Sequence, residues 1–122
     1  MTVPEYKLFD VSHQGTVTVL KLCSHDMMDH LLSNELQTAV VAFVEQERPQ
    51  NLLVNFNDMR RFSSETINAL LRARKRLAAY EGEMKLCGMR PEIRDVFRVM
   101  RLDGTVFEIY ETFEQALAAF PA

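Results

Sequence analysis

Residues 52–77, LLVNFNDMRRFSSETINALLRARKRL, change their pattern halfway along. The segment opens on a short apolar run, and such a run at residues 51–56, bounded by turn signals, favours a strand over a helix fragment. From Ile67 to Leu77 apolar residues recur at three- and four-residue steps, which predicts an amphipathic helix. A polar loop with two serines joins the two patterns. The stretch therefore predicts a strand, a loop and a helix in direct succession.

The same alternation continues on both sides of this stretch. Runs with strand character lie at residues 6–15, 16–23, 83–89 and 105–110, and helical periodicity lies at residues 31–48, 91–102 and 112–120. Gly82 is the stop signal of the helix in the opening stretch, and Thr112 is the predicted N-cap of the last helix. The order ββαβαβαβα predicts one α/β domain over residues 1–122, with a mixed, mostly parallel sheet of about five strands and about four helices.

Length, charge and hydropathy exclude several classes of function. The chain has 122 residues and 48% of them are apolar, which is enough for one packed core. Its net charge of −3 argues against nucleic acid as the main partner, because phosphate binding needs concentrated positive charge. No apolar run reaches the roughly 18–20 residues of a membrane span, and Glu5 and Asp10 stand where a signal peptide would be basic or apolar. We expect a cytoplasmic protein, with Cys23 and Cys87 as reduced, buried thiols.

One segment, CSHDMMDH at residues 23–30, concentrates the residue types that bind metals: His25, Asp26, Asp29 and His30. The two histidines are five residues apart, so on a helix only Asp26 and His30 would share a face. A polar loop whose aspartate caps the next helix is the favoured interpretation. The sequence also lacks the motifs of phosphate-binding loops, nucleophile elbows and zinc proteases. We therefore expect no metal and no cofactor.

Ser63 and Ser64 lie where the second predicted helix begins. As nucleophiles they would need a general base, and no histidine lies near them in the sequence, so we expect no enzymatic activity. A serine cap would stabilise this helix by about 1 kcal/mol, and Glu65 in the first turn suits the helix dipole. The same positive helix end tolerates a phosphate group, so the serines are also candidates for phosphorylation.

Basic residues concentrate at Arg60 and Arg61 and in the run RARKR at residues 72–76. Arg72, Lys75 and Arg76 fall roughly opposite the apolar stripe of their helix. A solvated face is the favoured interpretation there, and a docking patch for an acidic protein surface is the functional one. The polar helix start beside Arg60 and Arg61 is also a candidate anion site. A small-ligand, nucleotide or anion sensor is therefore an alternative function.

The ordered set of elements resembles the STAS domain, the fold of bacterial anti-sigma factor antagonists. The resemblance covers about residues 6–120 and rests on the opening stretch and on the tail MRPEIRDVFRVMRLDGTVFEIYETFEQALAAF at residues 89–120. It implies a sheet with helices mainly on one face, and a function by protein–protein binding in signal transduction and transcription regulation. Members of the family bind an anti-sigma factor, often a serine kinase, and so release a sigma factor. Phosphorylation of the second serine in an Asp-Ser-Ser-Gly motif prevents that binding.

Aligned on Ile67, the family motif falls on Ser63, Ser64, Glu65 and Thr66, with Glu65 at the phosphoserine position. A glutamate there carries a fixed charge of about half a phosphate. The resemblance leaves two interpretations: the protein is locked in a state like the phosphorylated one, or Ser64, Thr66 or Ser63 is phosphorylated instead. A one-residue gap in the alignment would make Ser64 the acceptor.

The resemblance assigns partner binding to the strand-to-helix junction at residues 57–68 and to the basic helix face. The expected partner is an anti-sigma factor, a serine kinase or another STAS protein. The residues expected to contact it are Asn57, Asp58, Arg61, Ser63, Ser64, Glu65, Thr66, Asn68, Arg72 and Lys75. A further alternative is a non-switching scaffold subunit that forms a homodimer or a larger oligomer.

Overall fold

The computed structural model describes residues 9–22, 26–27, 30–62 and 64–121, and the side chains of residues 9–22, 35–60 and 64–121. The main sheet is formed by β1 (Phe9–Gln14), β2 (Val17–Leu22), β4 (Asn51–Asn55), β6 (Glu83–Cys87) and β7 (Glu108–Tyr110). A second sheet is formed by β3 (Asp26–Met27) and β5 (Arg61–Phe62). The helices of the described residues are α1 (His30–Glu47), α2 (Ser64–Ala78), α3 (Pro91–Val99) and α4 (Phe113–Ala119).

The strands of the main sheet follow the order β1-β2-β4-β6-β7. β1 and β2 form an antiparallel hairpin around Gly15, whose φ of 60° suits glycine. The pairs β2–β4, β4–β6 and β6–β7 are all parallel. Parallel neighbours need a crossover, and α1, α2 and α3 supply one each. The predicted mixed, mostly parallel sheet of five strands is confirmed.

Apolar residues cover both faces of the sheet, but unequally. The larger core lies between the sheet and α1, α2 and α3, and its fully buried residues include Leu20, Val40, Leu52, Leu70, Leu86 and Phe97. The other face is covered by α4, in a smaller cluster of Val17, Val19, Leu53, Cys87, Ala116 and Phe120. The implied sheet with helices mainly on one face is therefore confirmed.

The small parallel sheet of β3 and β5 was not predicted. Asp26 pairs with Arg61, and Met27 pairs with Phe62. Each strand has only two residues, which is too few to show a hydrophobic period in the sequence. The pairing joins the connection after β2 to the connection before α2.

The strand predicted at residues 105–110 is too long. β7 begins at Glu108, because the N–H groups of Val106 and Phe107 donate to the carbonyl of Leu102 at 3.1 and 2.9 Å. These bonds form a turn, which keeps both residues out of the β6–β7 ladder.

The predicted helix boundaries at Gly82 and Thr112 have different outcomes. The left-handed residue after α2 is Glu81, with φ of 64°, and not Gly82. Gly82 lies in a tight space instead, since a Cβ there would lie 2.9 Å from Cδ2 of Leu77 and 3.3 Å from the carbonyl oxygen of Gln50. Thr112 is confirmed as the N-cap of α4, and its hydroxyl accepts the N–H of Gln115 at 3.1 Å.

Candidate protein-docking site

The loop that leads from β4 towards α2 is anchored by two fully buried side chains, Phe56 and Met59. The N–H of Met59 donates to the carbonyl of Phe56 at 2.9 Å. Asn55 Oδ1 accepts the N–H of Asn57 at 2.9 Å, which turns the chain directly after the strand. The anchored backbone leaves Asn57 and Arg60 exposed at the carboxyl edge of the parallel strands.

Gly88 supports this loop from the neighbouring connection between β6 and α3. It follows β6 directly, so the strand ends at Cys87 and not at Met89 as predicted, and its φ is 75°. A Cβ at Gly88 would lie 2.8 Å from Oδ1 of Asn55 and 3.3 Å from N of Asn57. Glycine is the residue that allows both the left-handed dihedral and this close approach.

Asp58 is engaged within the chain. Its Oδ2 lies 3.3 Å from Nζ of Lys21 at the end of β2, and the two side chains are 36% and 40% exposed. A pair this exposed adds little to stability. A partner that contacts Asp58 would therefore meet a carboxylate that already has the cation of Lys21 beside it.

The first three residues of α2 differ in exposure. Ser64 is exposed, Glu65 is half-buried, and Thr66 is fully buried with no hydrogen bond from its hydroxyl to a described residue. Ser63 lies outside the described residues, and Arg61 is described only in its backbone. Within the folded α2, the side chain of Ser64 is therefore accessible from solvent and that of Thr66 is not.

Four of the predicted docking residues share one exposed face of α2, the α2 stripe, which consists of Ser64, Asn68, Arg72 and Lys75. Steps of four, four and three residues return to the same side of an α-helix. Arg72 and Lys75 form no ion pair with the described residues, whereas Nε of Arg76 binds Oε2 of Glu45 on α1 at 3.1 Å. The α2 stripe thus offers a hydroxyl, an amide and two cations to an acidic surface of another protein.

A cavity of about 430 Å³ opens beside the junction, lined by Asn55, Asn57, Gly88, Glu111, Thr112, Phe113 and Glu114. Glu111 and Glu114 are exposed carboxylates, so the potential here is negative. This cavity therefore does not suit an anion or a nucleotide. The anion site predicted at the helix start beside Arg60 and Arg61 lies elsewhere, and it stays a prediction because Arg61 is described only in its backbone.

The described part of the chain contains no group of three or more side chains that could hold a metal ion. The structure does not test the candidate metal ligands, because His25 and Asp29 lie outside the described residues and the side chains of Asp26 and His30 are not described. Within the described helices, none is both long and apolar enough to cross a membrane.

The Cys87 thiol is free and buried in the smaller core cluster, as the sequence predicted. Burial, followed by the negative charge of Glu114, raises the pKa of this thiol to about 12. Thiolate is the reactive form of cysteine, so Cys87 is a poor nucleophile at neutral pH. The prediction of a buried, reduced thiol at Cys23 lies outside the described residues.

The STAS domain family model matches residues 9–116, from the start of β1 into α4. The chain belongs to the STAS domain family. No curated protein sequence matches it.

Solved structures of anti-sigma factor antagonists share the fold of this STAS domain. One from Mycobacterium paratuberculosis has a TM-score of 0.80 at 21% identity, over 98% of this chain and 97% of that one. A STAS domain protein from Planctomyces limnophilus has a TM-score of 0.78 at 24% identity, over 91% and 95% of the two chains. The Bacillus cell fate determinant SpoIIAA, in its phosphorylated form, has a TM-score of 0.66 at 21% identity, over 90% and 96%. At these identities the likeness shows the fold alone.

Two residues that shape the junction of this STAS domain, Lys21 and Gly88, were not among the predicted site residues. For Gly88 a signal was present, because a glycine after a strand often marks a left-handed turn. Lys21 lies opposite Asn55 in the parallel pairing of β2 with β4. Its contact with Asp58 follows from that pairing, and no local pattern in the sequence reveals it.

Proposed function

We propose that the protein is a non-enzymatic, cytoplasmic regulator that acts like an anti-sigma factor antagonist. Its partner is an anti-sigma factor or serine kinase, and its docking surface is the junction at residues 57–68 together with the α2 stripe. The observation that carries the proposal is the α2 stripe, in which all four side chains are exposed and two are cations without an ion pair among the described residues. The shared fold with anti-sigma factor antagonists supports the same class of function.

Ser64 is the proposed phosphorylation site. It is exposed at the first residue of α2, where the positive helix end stabilises added negative charge. Glu65 at the aligned phosphoserine position is half-buried, whereas Ser64 is exposed. This difference supports the alignment with a one-residue gap, in which Ser64 is the acceptor. A phosphate on Ser64 would add negative charge to a cationic surface and so weaken the binding of an acidic partner.

Binding of purified anti-sigma factors and serine kinases from the same genome tests the docking surface. Arg72→Glu is expected to weaken the complex about tenfold, mainly through slower association, because the α2 stripe loses its positive charge. Arg48→Glu is the control for the change of charge, since Arg48 is an exposed cation directly after α1, at the opposite edge of the sheet. Arg48 also lies 4.4 Å from the ring centroid of Tyr80, so circular dichroism of this variant checks that its fold is unchanged. If none of these proteins binds the wild-type chain, or if both variants bind equally well, the proposal is wrong.

Incubation with the kinase that binds, in the presence of ATP, tests the acceptor. The wild type and Thr66→Ala are expected to incorporate phosphate, and Ser64→Ala is expected to incorporate none. Ser64→Asp is expected to bind the kinase more weakly than Ser64→Ala, since the carboxylate adds part of the charge of a phosphate. Phosphate that persists on Ser64→Ala assigns the acceptor to another residue, and intact mass with site mapping identifies it.

A further inference from the structure

An apolar patch at the C-terminal end of α3 has no role in the docking surface described so far. Val96, Val99 and Met100 are 41%, 81% and 49% exposed, although Ile93 and Phe97 of the same segment are buried in the larger core. Single exposed apolar residues are common on protein surfaces, but a cluster of them marks an interaction surface.

The patch lies on the flank of α3 that faces α2. Arg94 marks the opposite flank, because it donates to Oδ2 of Asp103 at 3.0 Å and to the carbonyl of Ile109 in β7 at 3.2 Å. Val96 lies about 200° around the helix from Arg94, and Val99 lies about 140° around it. β7 is the edge strand of the sheet. α2 connects β4 to β6 and α3 connects β6 to β7, on the same face of the sheet. A flank directed away from β7 is therefore directed towards α2.

α2 presents a cationic border to the same space. Arg76 contacts Glu45 of α1 on one flank, and Leu71 lies about 140° around α2 from Arg76, on the other flank. Arg74 follows Leu71 by three residues and shares its flank, whereas Lys75 follows Leu71 by four residues and lies on the outer face of the helix, in the α2 stripe. Both are exposed, and neither forms an ion pair with a described residue.

The two sets of residues also lie at the same depth along the sheet. α2 and α3 both begin at the carboxyl edge of the parallel strands and run back over the sheet. With a rise of about 1.5 Å per residue, Lys75 lies about 16 Å below the start of α2, and Met100 lies about 14 Å below the start of α3. Because α2 and α3 lie on the same face of the sheet, we group these residues as the α2–α3 surface, which consists of Leu71, Arg74, Lys75, Val96, Val99 and Met100.

We propose that the α2–α3 surface extends the docking site and binds an apolar projection of the partner protein that is bordered by acidic side chains. Charge complementarity selects this partner. Arg74 and Lys75 attract acidic groups, and Asp95, which adjoins the patch, is already paired with Arg98 at 2.9 Å. A second copy of the chain would bring the same paired aspartate and two further cations, so it matches less well. The inference rests on the proposed function and describes its partner more fully.

Substitutions at Val99 test the inference with the purified anti-sigma factor or serine kinase that binds the wild-type chain. Val99 is 81% exposed, so its replacement leaves the core unchanged. Val99→Glu is expected to weaken the complex about tenfold or more, as the loss of a central apolar contact does. Val99→Lys is expected to weaken it less, because an acidic border tolerates a cation. Val11→Glu, at the 42% exposed valine of β1, is the matched control and is expected to bind like the wild type.

The outcomes separate this inference from the proposed function. If Arg72→Glu weakens binding and Val99→Glu does not, the α2 stripe stands and the α2–α3 surface is wrong. If Val99→Lys is as damaging as Val99→Glu, the acidic border is wrong. If the wild-type chain binds none of these proteins, both proposals fall. Light scattering that finds a dimer of the wild type and a monomer of Val99→Glu would assign the surface to a second copy instead.

Discussion

Gly88 and Gly104 have the same kind of backbone conformation, with φ of 75° and 82°. Their surroundings differ. A Cβ at Gly104 would meet nothing within 4 Å, whereas a Cβ at Gly88 would lie 2.8 Å from Oδ1 of Asn55. A side chain at Gly104 would carry only the free-energy cost of the left-handed dihedral, whereas a side chain at Gly88 would also carry the cost of a steric contact with the docking junction.

Replacing each glycine by alanine is expected to give unequal losses of stability. Gly104→Ala carries the backbone term alone, about 1 kcal/mol in the free energy of unfolding. Gly88→Ala carries the same term and also displaces Asn55, so we expect about 2–3 kcal/mol. Urea denaturation followed by circular dichroism measures both. Equal losses would mean that the loop moves aside freely and that Gly88 does not support the junction.

At the scale of elements, Lys85 links β6, β7 and α4. Its side chain is only 5% exposed, and Nζ binds Oε2 of Glu108 at 2.8 Å and lies 5.1 Å from the ring centroid of Phe120. The hydroxyl of Tyr110 donates to Oε1 of the same glutamate at 3.2 Å. The hydrogen bond from Lys85 is the main cause that lowers the pKa of Glu108, and the charge of Lys85 and the bond from Tyr110 add to it against burial.

This cluster is expected to weaken in acid. Because the folded state lowers the pKa of Glu108 below its ordinary value of 4.5, the pair stabilises the protein above that value and loses its contribution as pH falls through the folded pKa. Between pH 7 and pH 3, the Lys85→Met variant is expected to lose about 0.5 kcal/mol less free energy of unfolding than the wild type does. The difference is modest because Glu108 is 60% exposed. Denaturation curves at both pH values measure it.

Lys75→Met is the control for the pH experiment. It removes an exposed cation that forms no ion pair with a described residue, so its acid sensitivity is expected to match that of the wild type. If Lys85→Met and Lys75→Met lose equal stability in acid, the Lys85–Glu108 pair is not a source of the pH dependence.

At the scale of the whole molecule, Cys87 reports on the integrity of the sheet. It lies in β6 between β4 and β7 and is fully buried under α4. A thiol with a pKa of about 12 is almost entirely protonated at pH 8, whereas an exposed cysteine has a pKa near 8.5 and reacts readily. Access to Cys87 therefore requires the smaller core cluster to open.

Labelling of Cys87 with a disulfide reagent is expected to follow global unfolding. The measurement uses the Cys23→Ser variant, so that Cys87 supplies the only thiol. At pH 8 we expect slow labelling in buffer and a rate that rises with urea in parallel with the loss of circular dichroism. Rapid labelling without urea would show that α4 detaches from the sheet while the rest stays folded.

Much of the fold was predictable from local patterns, whereas the docking role of the predicted site residues stays a prediction. The helix periodicity from Ile67 onward and the cap at Thr112 each depend on residues a few positions apart, and both predictions are confirmed in the structure. The β3–β5 pair and the Lys21–Asp58 contact join segments far apart in the chain, and neither was predicted. Signals at Gly82 and Gly88 were present, but only neighbouring atoms show whether a glycine serves a dihedral or a close approach.

The sequence by itself determined the alternation of strands and helices, the mostly parallel sheet and the membership of the STAS family, because periodicity and turn residues act over short distances. The tertiary structure alone decided which side chains at the start of α2 face solvent. Packing of Ile67 and Leu70 in the larger core sets the rotation of α2, and that rotation exposes Ser64 and buries Thr66. Two hydroxyl residues that are two positions apart thus differ in accessibility because of the way their helix packs on the core.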